Sequence, residues 1–409
     1  MRIALISFEY PIDTNWGGIA TYVQQAAYML LNGGHEVEVF CGTQKETYTM
    51  SDNGVPVHLC HYKKRMEFYN DVFEEFKIAH ENKPFNVIEV PEFATDAKRV
   101  TELFPEIAVV IKTHSPLFLN NKLNTSKWSF RRKIRHIYQS VRSLERPVLP
   151  LFYTKKSDSE FIETEKADLI SSPSKSLEQL VQNEWGINAD RCLRVPYPFN
   201  PTDSFLKCEI KEIAKLKSIA FIGRLEIRKG ILDIGKAIPI LLNKFSELQF
   251  MLIGQAQSSP ENNVNMKDYL LKNHLKNNTK NVLFTGKIEK ANIVNYLSSI
   301  DICIFPSIWE NFPNVCLEAM SAGKAVIASK EGGMSDMITH LENGYLINPN
   351  SPEEIVKAVE YFIENPEKIA EFGRKAREKV LKAYSPETIL PQQIALYERA
   401  IEIRKNKLK

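Results

Sequence analysis

The sequence predicts an α/β protein made of two doubly wound, Rossmann-like domains that face each other across a central cleft. Short apolar runs, typical of buried parallel strands, alternate with amphipathic helical stretches along the whole 409-residue chain. The alternation is interrupted once, where three prolines fall within 196–201 and a polar stretch follows, and then it starts again. Because ligands of such sheets bind at the carboxyl ends of the strands, any site is expected there.

Each predicted element follows from its own local pattern. In the first half, apolar runs predict strands at 3–8, 36–41, 87–90, 109–113 and 169–171. A glycine pair and an amphipathic helix at 19–32 follow the first of these strands. In the second half, apolar runs predict strands at 218–223, 249–254, 281–285, 300–306 and 325–329. The predicted division is an N-terminal domain at 1–200, a C-terminal domain at 201–384, and a helix at 385–409 crossing back to the first domain.

Composition excludes several classes of protein. With 44% hydrophobic and 25% charged residues the chain is expected to be globular rather than disordered. Its 53 basic and 50 acidic residues give a net charge of only +3, so the overall charge does not indicate a nucleic-acid-binding protein. The six cysteines form no C-x-x-C pair and indicate reduced, buried thiols. No run of about 18 apolar residues could span a bilayer, so the expected location is the cytoplasm.

A glycine pair lies between the first strand and the first helix. Gly17 and Gly18 would let the backbone approach a ligand closely, and the start of the helix favours an anion. The alternative is a tight turn that binds nothing. The G-x-G-x-x-G spacing of dinucleotide-binding proteins is missing, which disfavours an oxidoreductase.

A second glycine-containing segment carries positive charge. Gly223-Arg224 ends a predicted strand, and Lys229-Gly230 opens the following helix. A guanidinium, an ammonium and a helix start at the carboxyl end of a strand suit a diphosphate. Two surface cations beside a turn are the alternative.

A third segment combines carboxylates with the start of a helix. Pro313 is suited to the first helical turn and Gly323 to its end, so Glu310 precedes the helix and Glu318 lies within it. Backbone N–H groups near 312–314 would point into the cleft. Carboxylates beside such amides could bind the hydroxyl groups of ribose or hexose. The alternative has both glutamates as solvated surface charges.

The segment 122–146 departs from the pattern, with eight basic residues against one acidic residue. Its apolar residues recur at helical spacing and are Phe130, Ile134, Ile137, Val141 and Leu144. Two interpretations stay open. The helix lies on an anionic bilayer, or its apolar face packs into the domain core and leaves a solvated basic surface.

Together these segments resemble a known family. The stretches that carry the resemblance read FEYPIDTNWGGIATYVQQAAYMLLNGGHEVEVF, FIGRLEIRKG, PSIWENFPNVCLEAMSAGKAVIAS, GGMSDMI and ENGYLINP. In order and spacing they are similar to the motifs of retaining glycosyltransferases of family 4, the glycosyl transferases group 1. Glu310 and Glu318 match that family's E-x7-E signature. The resemblance covers nearly the whole chain and implies the two-domain GT-B fold.

The resemblance also implies a role for each matched residue. Arg224 and Lys229 would bind the donor diphosphate and stabilise the leaving group, while Glu310 and Glu318 would bind the donor sugar and the ribose. The remaining implied contacts are the backbone at Phe312, Pro313 and Asn314 for the sugar, Lys287 and Ile288 for the nucleobase, Gly17 and Gly18 for the diphosphate, and His114 for the transferred sugar.

The implied activity is metal-independent retaining transfer of a hexose or N-acetylhexosamine from a nucleotide-diphosphate sugar, with no cofactor. UDP is preferred and GDP is the second choice. The acceptor would be a hydroxyl of a glycan or lipid-linked glycan, in cell-surface polysaccharide synthesis at the inner face of the plasma membrane. No D-x-D triplet occurs. A non-hydrolysing nucleotide-sugar 2-epimerase and a non-catalytic carbohydrate-binding protein remain as alternatives.

Overall fold

The computed structural model describes residues 1–14, 17–92 and 96–409, without the side chain of Lys290. These residues form two compact units. Unit 1 contains 1–117, 154–200 and 383–409, and unit 2 contains 118–153 and 201–382. The division differs from the predicted one at 118–153, because this segment clusters with unit 2 rather than with the rest of the N-terminal half.

Unit 1 is built on an eight-stranded sheet among the residues described. Its strands are β1 (Arg2–Ile6), β2 (Glu36–Thr43), β3 (Tyr48–Asp52), β4 (Val55–His61), β5 (Val87–Pro91), β6 (Ala108–Lys112), β7 (Leu169–Ser172) and β8 (Cys192–Arg194). The order is β3-β4-β2-β1-β5-β6-β7-β8, and β3 alone runs antiparallel to its neighbour. Strands β1, β5 and β6 are buried along their whole length, as their mainly apolar sequences predict.

Helices cover this sheet. Those of unit 1 are α1 (Gly18–Asn32), α2 (Phe68–Asn82), α3 (Lys98–Leu103), α6 (Ser159–Lys166), α7 (Lys175–Trp185) and the terminal helix α16 (Pro386–Lys407). Helix α4 (Leu117–Thr125) begins where unit 1 gives way to unit 2. The terminal helix packs against β5, β6 and β7, so the end of the chain returns to the sheet that contains its beginning.

Unit 2 is built on a six-stranded parallel sheet. Its strands are β9 (Ser218–Ile222), β10 (Gln249–Ile253), β11 (Val282–Gly286), β12 (Ile302–Phe305), β13 (Ala325–Ser329) and β14 (Tyr345–Ile347), in the order β11-β10-β9-β12-β13-β14. Its helices are α5 (Phe130–Arg142), α8 (Asp203–Leu206), α9 (Ile231–Lys244), α10 (Met266–Asn273), α11 (Ile293–Ser298), α12 (Asn314–Ser321), α13 (Met334–Met337), α14 (Pro352–Glu364) and α15 (Glu367–Ala383).

Each sheet has one point at which the strand order reverses. In unit 1 the chain proceeds outward from β1 to β2, and then from β5 to β8 on the other side. In unit 2 it proceeds from β9 to β11, and then from β12 to β14. Loops that follow two adjacent strands at such a point diverge to opposite faces and leave a crevice between them. In unit 1 the crevice therefore lies at the carboxyl ends of β1 and β5. In unit 2 it lies at the carboxyl ends of β9 and β12.

Two further findings concern the cysteines and the length of the apolar helices. All six cysteines are buried and free, in agreement with the expectation of reduced thiols. No helix among the residues that the structure describes is long and apolar enough to cross a bilayer.

Candidate active site

The loops that follow β9 and β12 meet at the strand-order reversal of unit 2. After β9 the chain makes a 3₁₀ turn at Ile227–Lys229 and enters α9, and after β12 it runs through an irregular loop into α12. The backbone N–H of Ile308 donates to the carbonyl of Arg228 at 2.8 Å and fixes the two loops together. This contact brings residues more than 75 positions apart in the sequence to one crevice.

Two glycines allow this close approach. Gly230 has a φ of +71°, and a Cβ atom there would lie 2.0 Å from the carbonyl oxygen of Pro306. Gly332 has a φ of +81°, and a Cβ atom there would lie 2.0 Å from the carbonyl oxygen of Glu310. Any larger side chain would separate these segments, so both positions require glycine.

The side chain of Glu310 is at the centre of the crevice. It forms an ion pair with the ammonium of Lys229, and its other carboxylate oxygen accepts a 3.0 Å hydrogen bond from the hydroxyl of Ser307. The guanidinium of Arg228 lies 3.6 Å away. The side chains of Lys229 and Glu310 are only 12% and 13% exposed, so the pair is largely shielded from water.

A second carboxylate holds the remaining cations. Glu226 accepts a hydrogen bond from Arg228 at 2.9 Å and another from Arg224 at 3.3 Å. Arg224 is the accessible member, with 60% of its side chain exposed, whereas Arg228 is 9% exposed. Three cations thus share two carboxylates, Glu226 and Glu310, and the cluster carries a net charge of +1.

The pKa values in this cluster reflect that excess of positive charge. Burial opposes the charge of Glu310, but Lys229 and Arg228 outweigh burial and hold its pKa below the ordinary value, so it is a carboxylate. Burial lowers the pKa of Lys229, and the nearby Arg228 adds to this effect against the opposing pull of Glu310. An additional anion near Lys229 would therefore be stabilising.

The predicted sugar and ribose contacts lie in and before α12. Pro313 is the N-cap of the helix rather than a residue of its first turn, so the helix begins at Asn314. Glu318 lies one turn further on and is 4% exposed, which contradicts the alternative of a solvated surface charge. Phe312 is buried as well. The start of α12 and the carboxylate of Glu310 therefore belong to the same loop.

The predicted nucleobase contacts follow β11, which is separated from β12 in the sheet by β10 and β9. Lys287 is exposed and Ile288 is half-buried, directly after Gly286, which has a φ of +73°. The structure thus places both at the carboxyl end of a strand of unit 2, on the same edge as Arg224 and Lys229.

In unit 1, His114 follows β6 and is buried. Its backbone N–H donates to both carboxylate oxygens of Glu92, at 2.8 and 2.9 Å, and Ser115 N–H donates to the same carboxylate at 2.7 Å. The hydroxyl of Tyr197 lies 2.5 Å from Nδ1 of the His114 ring. Glu92 directly follows β5, so a carboxylate at the strand-order reversal of unit 1 positions the histidine loop.

Burial determines the protonation of this second cluster. It lowers the pKa of His114 to about 3, with a further contribution from nearby Lys112, so the imidazole is neutral at pH 7. Burial raises the pKa of Glu92 to about 7, although the N–H groups of His114 and Ser115 act in the opposite direction. His114 can therefore exchange hydrogen bonds with a ligand but does not supply a positive charge.

The glycine pair of unit 1 lies after β1, at the start of α1. Gly17 is the N-cap of that helix, and its carbonyl accepts a hydrogen bond from Thr21 N–H at 3.2 Å. No atom lies within 4 Å of the place where a Cβ of Gly18 would be, so its backbone is open on that side. Trp16, the residue before this pair, is outside the described residues.

The structure therefore brings Arg224, Lys229 and Glu310 into one cluster of unit 2. Sequence reasoning missed several of the groups that hold the two clusters together, namely Glu226, Arg228 and Ser307 in unit 2 and Glu92 and Tyr197 in unit 1. Two signals in the sequence could have indicated these residues. Glu92 directly follows a predicted strand, and Arg228 is adjacent to the predicted site residue Lys229.

Comparison with solved structures defines the fold. Sucrose-phosphate synthase from Thermosynechococcus elongatus superimposes with a TM-score of 0.71 at 20% identity, covering 97% of this chain and 98% of that one. Anabaena Alr3699/HepE in complex with UDP superimposes with a TM-score of 0.67 at 18% identity, with the same coverage. Together with the two parallel-sheet units, these likenesses show that the chain has the GT-B fold of glycosyltransferases.

Comparison of sequences finds similarity to one family, within part of the C-terminal half of the chain. Residues 207–379 match the family model described as glycosyl transferases group 1. An uncharacterized glycosyltransferase of Methanocaldococcus jannaschii is 23% identical over 98% of this chain and 99% of its own length. The chain spans 42–51% of the length of several other curated relatives. Residues 207–379 are therefore similar to the group 1 glycosyltransferases. The predicted GT-B fold is confirmed.

Proposed function

We propose that the protein is a retaining glycosyltransferase that moves a hexose or N-acetylhexosamine from a nucleotide-diphosphate sugar to a hydroxyl group. The observation that carries the proposal is the +1 cluster of Arg224, Arg228 and Lys229 with Glu226 and Glu310. Three cations, two of them largely buried, outnumber the two carboxylates that they share. Such a group at the strand-order reversal of a parallel sheet suits a diphosphate.

Within that cluster, the proposed division of labour follows exposure. Arg224, although it contacts Glu226, reaches solvent and would meet the incoming diphosphate, whereas the ammonium of Lys229 is held inside the crevice. As the glycosidic bond to the sugar breaks, negative charge accumulates on the departing diphosphate. Preorganised cations facing that charge stabilise the transition state, so the proposed mechanism uses Arg224 and Lys229 in place of a metal ion.

The carboxylates would bind the neutral parts of the donor. Glu310 faces the crevice and can accept hydrogen bonds from sugar hydroxyls, together with the backbone of Phe312, Pro313 and Asn314. Glu318 is assigned to the ribose. Their low exposure, 4% for Glu318 and 13% for the side chain of Glu310, supports these roles, because a carboxylate held away from water accepts hydrogen bonds from hydroxyl groups with little competition.

The other assigned contacts remain proposals of the same kind. Lys287 and Ile288 would present backbone groups to the nucleobase. Gly17 and Gly18 would approach the diphosphate, and the neutral imidazole of His114 would hydrogen-bond the transferred sugar. For His114 the support is the fixed loop geometry imposed by Glu92 and the neutral ring.

UDP is the proposed nucleotide, with GDP as the second choice. The Anabaena protein of similar fold was solved with UDP and also with UDP-glucose. The proposed acceptor is a glycan or a lipid-linked glycan, in the synthesis of a cell-surface polysaccharide at the inner face of the plasma membrane.

Two measurements test the proposal. Thermal-shift titrations with UDP, GDP and ADP identify the nucleotide, since a ligand that binds only the folded state raises the melting temperature. Replacing Arg224 or Lys229 by Ala is expected to reduce transfer about 100-fold. The matched control is Lys236→Ala, which removes an exposed cation from the helix after the turn. Full turnover in both site variants would exclude the assigned roles.

Product analysis separates the proposed reaction from its alternatives. NMR of the product is expected to show the anomeric configuration of the donor retained. Incubation with UDP-sugar alone distinguishes an epimerase, which converts the donor without an acceptor, from a transferase. A carbohydrate-binding protein without activity would show no need for a diphosphate site, and therefore no thermal shift with any nucleotide.

A further inference from the structure

The apolar side chains of α5 face solvent. Phe130, Ile134, Tyr138 and Val141 are 76%, 51%, 66% and 65% exposed, and residues at this spacing lie along one side of a helix. Leu144 just after the helix is 96% exposed. We call these five residues the apolar stripe. One interpretation of the sequence, burial of the apolar face in the domain core, is therefore wrong for Phe130, Ile134, Val141 and Leu144. Ile137, the remaining residue of the predicted face, is half-buried.

The opposite side of α5 attaches the helix to unit 2. The guanidinium of Arg132 lies 4.0 Å from the ring centroid of Trp128 and donates a hydrogen bond to the carbonyl of Ser259. The ring of His136 also contacts Trp128, at 5.5 Å between centroids. Trp128 in turn packs against the hydrophobic core of unit 2. Helix α5 thus turns its polar face towards unit 2 and its apolar side chains towards solvent.

Polar side chains and a cavity of about 540 Å³ lie between α5 and the loop at 256–265. The cavity is lined by Arg132, Arg135, His136 and Gln139 on the helix side. This inward face is therefore suited to water and polar groups. A simple rotation of α5 about its axis would expose these polar contacts and bury the stripe against polar residues, so packing within unit 2 does not account for the stripe.

Basic residues border the apolar stripe. At about 100° per residue, Arg131 and Arg142 lie on one side of the stripe and Lys133 lies on the other. The segment 122–146 has eight basic residues and a single acidic one. Long cationic side chains next to an apolar face can reach anionic headgroups while their aliphatic parts cover apolar surface.

We infer that α5 docks on an anionic lipid bilayer, with the apolar stripe at the boundary between headgroups and acyl chains and with Arg131, Lys133 and Arg142 on the headgroups. Charge complementarity selects this occupant. A second copy would bring the same positive face against this one, and a nucleic acid would leave the stripe in water. The inference deepens the proposed function by naming the membrane partner, but binding requires neither donor nor acceptor.

Sedimentation of the full chain with vesicles tests the inference. Binding is expected with vesicles containing 30% phosphatidylglycerol in phosphatidylcholine, and not with pure phosphatidylcholine at about 0.1 M salt. The variant Arg131→Ser/Lys133→Ser/Arg142→Ser is expected to bind about 100-fold more weakly, because each basic residue at an anionic surface contributes a factor of about five. Replacing Phe130, Ile134 and Val141 by Ser is expected to abolish binding at any salt concentration.

Matched control variants change the same number of exposed residues elsewhere. For charge, the control replaces Lys63, Lys276 and Lys357 by Ser, and for apolar surface it replaces Met66, Ile78 and Leu408 by Ser. Both controls are expected to bind as the wild type does. Circular dichroism melting checks that all variants are folded. UDP thermal shifts measured on the same samples separate failure of this inference from failure of the proposed transferase function.

Three outcomes would overturn the inference. One is equal sedimentation of the wild type and both α5 variants. Another is binding to neutral and anionic vesicles alike with no effect of the charge variant. The last is the lack of vesicle binding by a wild type that dimerises through the stripe, as shown by light scattering and by loss of the dimer in the Phe130/Ile134/Val141 variant.

Discussion

The ion pair between Lys229 and Glu310 is suited to a quantitative test. Glu310→Gln keeps the size of the side chain and an oxygen that can accept from Ser307, but it leaves the buried ammonium of Lys229 without its carboxylate. Removing one partner of a buried pair typically destabilises by about 3–5 kcal/mol. Since both side chains retain slight exposure, we take the lower end, about 3 kcal/mol. In a unit of roughly 200 residues this corresponds to a decrease in melting temperature of about 6–12 °C.

The same variant also tests the role of the cations. If Lys229 binds the diphosphate together with Arg224, UDP supplies the anion that Glu310→Gln has removed. UDP is then expected to raise the melting temperature of Glu310→Gln by more than that of the wild type. The assay is differential scanning calorimetry with and without UDP. Glu342→Gln, which removes an exposed carboxylate from the same unit, is the control and is expected to change stability by less than about 0.5 kcal/mol.

A double-mutant cycle provides the refutation. Lys229→Met/Glu310→Gln removes both charges and is expected to be more stable than the sum of the two single losses predicts, with a coupling of about 2–3 kcal/mol. Additive losses would show that the two side chains do not interact in solution. A decrease of less than about 2 °C for Glu310→Gln would refute the argument from buried charge.

Three further predictions concern other parts of the chain. Gly332→Ala is expected to lower the free energy of unfolding in urea by more than about 2 kcal/mol, because its Cβ would clash with the carbonyl of Glu310, whereas Gly18→Ala has open space and is expected to be nearly neutral. The pKa of Glu92 is raised to about 7, so protonated Glu92 contributes fully to the free energy of unfolding below about pH 4.5, and this contribution is lost as the pH rises through 7. In pH-dependent melts, the wild type is expected to lose about 3 kcal/mol of stability over that interval relative to Glu92→Gln. The His114 ring is expected to show no titration in NMR spectra between pH 5 and 8, since its pKa is about 3.

The fold was largely predictable because both sheets consist mainly of buried parallel strands. Strands β9 and β13, for example, are continuous apolar runs and lie within one residue of their predicted ends. The antiparallel hairpin of β3 and β4 was missed, although Asn53-Gly54 between them is a strong turn signal and both residues have positive φ. Strands β8 and β14 have three residues each, too few to show a period.

The site was predictable in its residues but not in their pairing. Motif spacing indicates that Lys229 and Glu310 belong to one site, yet no local pattern predicts that they contact each other across 81 positions. Glu92 is similar, because its partners His114 and Ser115 follow a different strand. The periodicity of α5 also fits a buried and an exposed apolar face equally well, so only the contacts of Trp128 and Arg132 decide between them.

The Lys229–Glu310 pair also has a consequence for the order in which the parts of the donor are recognised. Without ligand, the carboxylate assigned to the sugar neutralises the ammonium assigned to the diphosphate. A free sugar would have to compete with a buried ion pair for Glu310, whereas a diphosphate attracts Lys229 and leaves Glu310 available to the sugar hydroxyls. Binding of the diphosphate is then expected to strengthen binding of the sugar, and the reverse. The physical expectation is that glucose alone gives no thermal shift, and that glucose added in the presence of UDP gives a measurable one.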